Sequence, residues 1–325
     1  MAALNYAVEY QRALAQAFPY VLNFGALYNT PTNNRYRWTD AKTIQIPSIS
    51  TTGRVNADRD SIRQAARNFD NSWETKELTN ERKWSTLVHP MDVQQTNMVA
   101  TIANITQVFN ETQKFPEMDA YTVSKLLADW KLTRDEEGNL RTPDTTALTK
   151  ANILSVFDAL MLKMDNERVP ANGRILYITN EAYSLLKNAQ IDANNTLGRS
   201  IDVTSGPNAI DRRVNRLDEV QIVKVPKILM KSAYNFTTGW APKATADQIN
   251  MFLVHPVAVI TPVSYTFSRL DEPSAGSEGK YVYYEESFED VFILNKQAGA
   301  LQFNVTESEV TTETTETTET TETTE

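Results

Sequence analysis

Along residues 91–130 the apolar side chains Met91, Met98, Ile102, Ile105 and Phe109 recur at helical intervals. Val99 and Val108 widen the stripe, and Gln, Asn and Thr fill the opposite face, which predicts one long amphipathic helix. Its second half carries its own apolar face in Met118, Tyr121, Leu126, Leu127 and Trp130. Between the halves stands Pro116, which has no N–H to donate and clashes with the preceding turn, yet is well suited to open a helix. Glu117 and Asp119 follow it and complement the positive helix start. The pattern therefore predicts a kink or restart near Phe115 in a rod of ~50 Å or more at 1.5 Å per residue.

The flanking patterns are shorter. Leu4, Val8, Leu14 and Phe18 form a weakly amphipathic arm closed by Pro19, and residues 20–40 are irregular. Residues 42–50 alternate around Ile44 and Ile46 and contain Pro47, the mark of an edge strand. Residues 51–70 are polar, with Arg54, Arg59, Arg63 and Arg67 interleaved with Asp58, Asp60 and Asp70. Two alternating runs, 72–78 and 83–88, are separated by 79–82 and read as a β-hairpin carrying Trp73 and Trp84. A lone hairpin is marginal in water, so this one requires another surface. After a polar connector at 135–145 come a second amphipathic helix at 149–164, a buried strand at 174–179 and a helix at 181–188 that Asn180 is placed to cap. A polar loop over 192–216 leads to strands at 220–225 and 249–255, an order that gives a compact mixed α/β domain. Late strands at 280–284, 288–294 and 300–305 are expected to return beside the long helix. The end repeats T-T-E five times, a composition with nothing apolar to bury and hence a solvated tail.

Composition adds limits. The chain has 325 residues, 41% hydrophobic and 22% charged, enough for two domains with real cores. It holds no apolar run near the ~20 residues of a membrane span, and no signal-peptide pattern at its start. Cysteine is absent, which excludes disulfides and thiolate chemistry. Net charge is −9, and the acidic tail supplies −5 of it, so a general electrostatic grip on nucleic acid is not expected. The two histidines, His89 and His255, are far apart in sequence and each precedes a proline. Residues 276–280, G-S-E-G-K, fail as a phosphate loop, because Ser274 stands where the first glycine belongs and Tyr281 where Ser or Thr should bind magnesium. There is no G-x-S-x-G elbow. No catalytic, cofactor-binding or metal-ligating set emerges, and no cofactor is expected.

Several segments resemble the major capsid proteins of tailed bacteriophages. They are Y-R-W-T-D-A-K-T-I-Q-I-P-S-I-S-T-T at 36–52, W-E-T-K-E-L-T at 73–79, M-D-V-Q-Q-T-N at 91–97 and F-P-E-M-D-A-Y at 115–121. R-I-L-Y-I-T-N-E-A-Y-S-L-L-K-N-A at 174–189, V-P at 225–226 and F-E-D-V-F-I-L-N-K at 288–296 follow in the same order. The resemblance spans about residues 1–305 and implies an α+β fold with named parts. An N-terminal arm would occupy 1–40 and an extended β-hairpin loop 41–90. A spine helix with a peripheral domain would take 91–134 and 252–305, an axial domain 135–251, and a disordered tail 306–325. It implies a structural protein of the virion, assembled in the bacterial host cytoplasm. Many copies would join as hexamers and pentamers into an icosahedral shell around packaged double-stranded DNA, without sequence-specific contact and without a membrane. A portal protein at one vertex and a decoration protein are further implied partners. A separate scaffolding protein is expected as well, since no charged helical prefix precedes the arm. The expected contacts between subunits are Trp73, Lys76 and Trp84 in the hairpin and Arg59, Arg63 and Arg67 near its tip, with pairing to Asp58, Asp60 and Asp70 as the rival role for the arginines. Pro116 is the expected kink. Some relatives link subunits covalently through a lysine in this loop and a neighbour's asparagine; Lys76 lies in the corresponding hairpin, but no matching asparagine or buried acid is evident. Gln95 departs from the acidic residue expected at the start of the spine. Two other readings are a nanocompartment shell around enzyme cargo and a soluble α/β enzyme or binding module.

Overall fold

The computed structural model describes residues 21–54, 56, 67–96, 101–135, 137–191 and 214–308. The arm stripe over 2–18, Arg59, Arg63, Met98, Val99, most of the polar loop and the T-T-E tail lie outside the described residues. In chain order the main elements are strands β1 (Thr43–Thr51), β2 (Phe69–Glu77) and β3 (Glu81–Val88), then helices α1 (Pro90–Gln95), α2 (Ile102–Phe109) and α3 (Phe115–Leu132). Helix α4 (Ile153–Asn166), strand β4 (Ile175–Thr179), helix α5 (Asn180–Ile191) and strands β5 (Val220–Val225) and β6 (Gln248–Val254) follow. Strands β7 (Val263–Asp271), β8 (Tyr281–Glu289) and β9 (Leu301–Thr306) complete the set.

Strand β4 is buried at every position, as a strand covered on both faces must be. It pairs parallel with β5 and antiparallel with β6, and β9 extends the sheet beyond β6. Arg216–Leu217 closes the other edge, giving a mixed five-stranded sheet. Against it pack Ala120, Val123, Leu126, Leu127 and Trp130 of α3 and Ile153, Phe157, Leu160 and Met164 of α4, in one continuous cluster. Helix α5 begins where the Thr179 hydroxyl accepts the Ala182 N–H at 3.3 Å, so the capping oxygen belongs to Thr179 and not to Asn180.

The core does not divide at the expected boundary between axial and peripheral domains. Strand β6 runs across residues 251 and 252, and β9, whose Phe303 meets Trp130 of the long helix, pairs with β6 in the sheet of the would-be axial domain. Phe252 stacks on both Tyr177 and Phe303, so residues on each side of the proposed cut share one aromatic column.

The runs at 72–78 and 83–88 do not form a hairpin with each other. Strand β2 pairs with β1, and β3 pairs with β8 in a second sheet of order β7-β8-β3. The reason lies at 78–80. Leu78 is buried and donates its N–H to Lys42 O at 2.8 Å, and Asp290 takes the Thr79 N–H at 2.8 Å. Asn80 O accepts the Glu289 N–H at 3.2 Å, so this link crosses between sheets instead of turning back.

The long helix is continuous from α2 into α3, without a restart at Pro116. Helical backbone persists at Lys114 (φ −63°, ψ −53°) and Phe115 (φ −66°, ψ −42°). A π turn, Asn110–Lys114, is inserted just before the proline, and Phe115 N–H bonds back to Asn110 O. The π turn ends immediately before Pro116, whose ring nitrogen has no hydrogen to donate to the helix. The halves differ in packing: α2 buries no residue fully, whereas α3 buries eight.

Candidate subunit-contact surface

Strands β1 and β2 pair along their whole length, from Thr43 opposite Glu77 to Thr51 opposite Phe69. Alternation then sorts two faces. Ile44, Ile46, Glu74 and Lys76 point one way, and Gln45, Pro47, Ile49, Phe69 and Trp73 the other. At the base the first face is covered: Ile44, Ile46 and Leu78 join Ile260, Phe288, Phe292 and Leu294 in a small cluster separate from the main core. The second face is not covered. Ile49 is 66% exposed, Phe69 52% and Trp73 42%, an apolar stripe on a projection without a core beneath it.

Arginines flank this stripe. The Arg37 guanidinium lies 4.0 Å from the Trp73 ring centroid and donates to Gln45 Oε1 at 2.9 Å. Arg67 lies 4.9 Å from the Phe69 ring centroid and donates to Phe69 O at 3.2 Å. Lys76 is on the covered face. Its ammonium is 2.9 Å from Glu74 Oε1 and donates to Asn295 Oδ1 of the same chain at 3.0 Å.

Trp84 is not a hairpin residue. It stands on β3 and stacks on Phe109 of α2, with ring centroids 3.9 Å apart and planes 7° apart, and so joins the spine to the second sheet within one chain. The structure thus brings Trp73 and Arg67 to the exposed face, places Lys76 behind it and Trp84 elsewhere.

One exposed element carries no expectation from the sequence reading. Strand β7 forms the outer edge of the second sheet, with Val263, Tyr265, Phe267 and Leu270 all exposed. Val263, Tyr265 and Phe267 alternate with Ser264, Thr266 and Ser268, which is the signal that identifies it.

Two buried carboxylates fix these parts to the spine. Asp290 Oδ1 accepts from Tyr121 OH and from Val291 N–H, both at 2.8 Å, while its Oδ2 accepts Thr79 N–H and Oγ1. Asp119, fully buried on α3, accepts the N–H groups of Asn23 and Phe24 at 2.9 and 3.2 Å and so anchors the end of the arm. Burial, reinforced by the Asp290 charge, pushes the Tyr121 phenol up. Burial also raises Asp129, against the pull of Lys125 and Lys76, and raises Glu289, against Lys114 but with Glu117 and Asp290 adding to the shift.

Both histidines act as helix caps. His89 Nδ1 accepts from Met91 N–H at 3.1 Å, and His255 Nδ1 from Val257 N–H at 3.4 Å. Among the described residues no group of His, Asp or Glu is arranged to hold a metal, and no helix is long and apolar enough to cross a membrane. A cleft of about 680 Å³ lies between the π turn and β3–β8, but its charges are largely paired across it, Arg82 to Glu117 and Lys114 to Glu285.

No family model and no curated protein matches the sequence. Solved structures do match over almost the whole chain. "Capsid structure of the Cyanophage P-SCSP1u" aligns with a TM-score of 0.67 at 13% identity, covering 93% of each chain. "Asymmetric unit of bacteriophage PhiM1 mature capsid" aligns at 0.63 and 12% identity, covering 93% of this chain and 92% of that one. A chain of Mycobacterium phage Che8 aligns at 0.60 and 11% identity, covering 93% and 98%. The likeness, at 11 to 13% identity, is one of fold: this chain has the fold of the phage capsid proteins.

Proposed function

We propose that the chain is the major subunit of an icosahedral phage capsid, a structural protein and not an enzyme. Copies join as hexamers and pentamers and enclose packaged double-stranded DNA, with a scaffolding protein during assembly, a portal at one vertex and an optional decoration protein outside. The observation that carries this reading is the hairpin face of Pro47, Ile49, Phe69 and Trp73, which the described residues of its own chain leave exposed. A neighbouring subunit is the surface that covers it. At ~25 cal/mol per Å², burial of some ~1,500 Å² by hairpin and arm gives tens of kcal/mol gross per subunit, before the costs of ordering and association. The net charge of −9 suits a container that encloses DNA without binding its phosphates tightly.

The test replaces residues 48–72 by a short turn. A wider deletion reaching residue 88 would remove β3 from the second sheet and confuse folding with assembly. The shortened chain is expected to fold and to form no shells in negative-stain micrographs; shells from it would end the gripping role. Small uniform oligomers alone from the unaltered chain, with and without a scaffold, would overturn the capsid reading.

A further inference from the structure

The hairpin packs on the body at its base, where Ile44, Ile46 and Leu78 meet Ile260, Phe288, Phe292 and Leu294, and beyond that cluster polar contacts bear on its angle. Two polar contacts reach it from the body. Lys76 Nζ donates to Asn295 Oδ1 at 3.0 Å, and Lys296 Nζ donates to Ile49 O at 2.9 Å. Asn295 and Lys296 are neighbours on one turn, Asn295–Ala300, which buried Leu294 and Ala298 hold on the body. Lys76 stands opposite Ile44 near the base, and Ile49 lies five residues further along the same strand. At ~3.3 Å per residue the two points held on the hairpin are roughly 17 Å apart along the strand, while the side chains that hold them converge on one turn of the body. One attachment leaves a projection free to pivot, whereas two spaced points fix its angle.

We propose that Lys76 and Lys296 form a latch that sets the hairpin angle and releases when a subunit takes a position needing another angle. The chemistry suits release. A lysine ammonium on a four-carbon stem follows a moving acceptor, and a contact of this exposed kind is weak. Lys76 is held more firmly than Lys296. Its side chain is 20% exposed, is paired with Glu74 and faces the Lys125–Asp129 pair on α3, whereas Lys296 is exposed. The outer contact is therefore the one that opens first, and the inner one becomes the pivot. A β-hairpin of this length acts as a lever, so a small rotation at Lys76 moves the far end of the strands, where Thr51 and Phe69 lie, by many ångströms.

The consequence for shells rests on the capsid reading, but the latch is measurable without it. The chain has no cysteine, so Ser50→Cys on the hairpin and Asp158→Cys on exposed α4 carry spin labels at two sites only. Labelled full-length chain, diluted into unlabelled chain, is examined by pulsed electron resonance with and without Lys296→Ala, and separately with Lys76→Met. The doubly labelled parent should give one narrow distance distribution. Lys296→Ala should widen it about twofold, with the melting midpoint unchanged, because an exposed lysine is removed. Lys76→Met should shift its centre, since the pivot itself is altered. Distributions that match the parent in both variants would overturn the latch. Micrographs of the same samples separate the two ideas: widened distances with uneven particle diameters support both, and widened distances with no particles from the parent keep the latch while removing the shell.

Discussion

Asp290 shows how much one side chain decides in this chain. It is 2% exposed and gathers Thr79, Tyr121 and Val291, thereby tying the link between β2 and β3 to the spine. Asp290→Ala would leave the buried Val291 N–H, the Thr79 N–H and the Tyr121 phenol without this acceptor, and a loss of about 2 to 3 kcal/mol is expected in denaturant unfolding. Tyr177 presents the opposite case. Its ring is stacked in the core, yet its hydroxyl has no hydrogen-bond partner among the described residues, and burial pushes the phenol up. Tyr177→Phe should therefore be neutral or stabilising by about 1 kcal/mol. A clear loss would show that this hydroxyl is satisfied in solution. Glu289 adds a pH dependence with a definite sign. Its folded pKa is raised by burial, so its ionised form costs stability at neutral pH, and that cost fades as pH falls through the raised value toward the ordinary glutamate range. Glu289→Gln should raise the melting midpoint at pH 7 to 8, and the advantage should shrink on acidification; a constant advantage would refute the assignment.

At the scale of elements, legibility followed the range of the interactions involved. Helices α3, α4 and α5 and the buried strand β4 declare themselves through local period and apolar content, because their faces are set within one segment. The partners of β2 and β3 do not. Residues 79–82 look like a hairpin turn, but β3 finds its partner in β8, some two hundred residues away, and nothing within the local window encodes that choice. The apolar stripe at 91–109 is also misleading about burial, since α1 and α2 bury no residue fully. What holds α2 to its own chain is the stack of Trp84 on Phe109, with the Lys114–Glu285 pair one turn later. Trp84→Ala is accordingly expected to speed amide hydrogen exchange across residues 102–114 by tenfold or more, corresponding to about 1.4 kcal/mol, while leaving 119–130 protected. Equal acceleration in both halves would mean that the spine opens as one unit.

For the whole molecule, the arrangement separates folding from association. One core runs through what the sequence divided into two domains, and it includes Phe24 and Leu27 from the end of the arm, so the body is complete without the hairpin's outer face. Among the proposed contact residues, Trp73 and Arg67 are on or beside that face, while Trp84 serves the interior and Lys76 the hairpin's base. The sequence pattern shows two strands here but not which face is left exposed, because that depends on which face β1 turns toward Phe288 and Phe292. The separation makes a sharp demand on the variant Ile49→Ser with Trp73→Ser. Ile49 is largely in solvent and Trp73 a little under half so, with only Arg37 stacked on its ring, so the single chain should lose no more than about 1 kcal/mol in unfolding measurements. Trp73 does shield the Arg37 guanidinium, which accounts for whatever small loss is seen. Assembly is a different matter, since the same two side chains would be buried once in every subunit contact. At ~1.5 to 3 kcal/mol for each large apolar group, their removal multiplies over all copies and should abolish shells. Sedimentation of the variant beside the unaltered chain reads the outcome. Intact shells would reject this face as the contact, and a chain that unfolds much more easily would mean that the stripe packs on its own body.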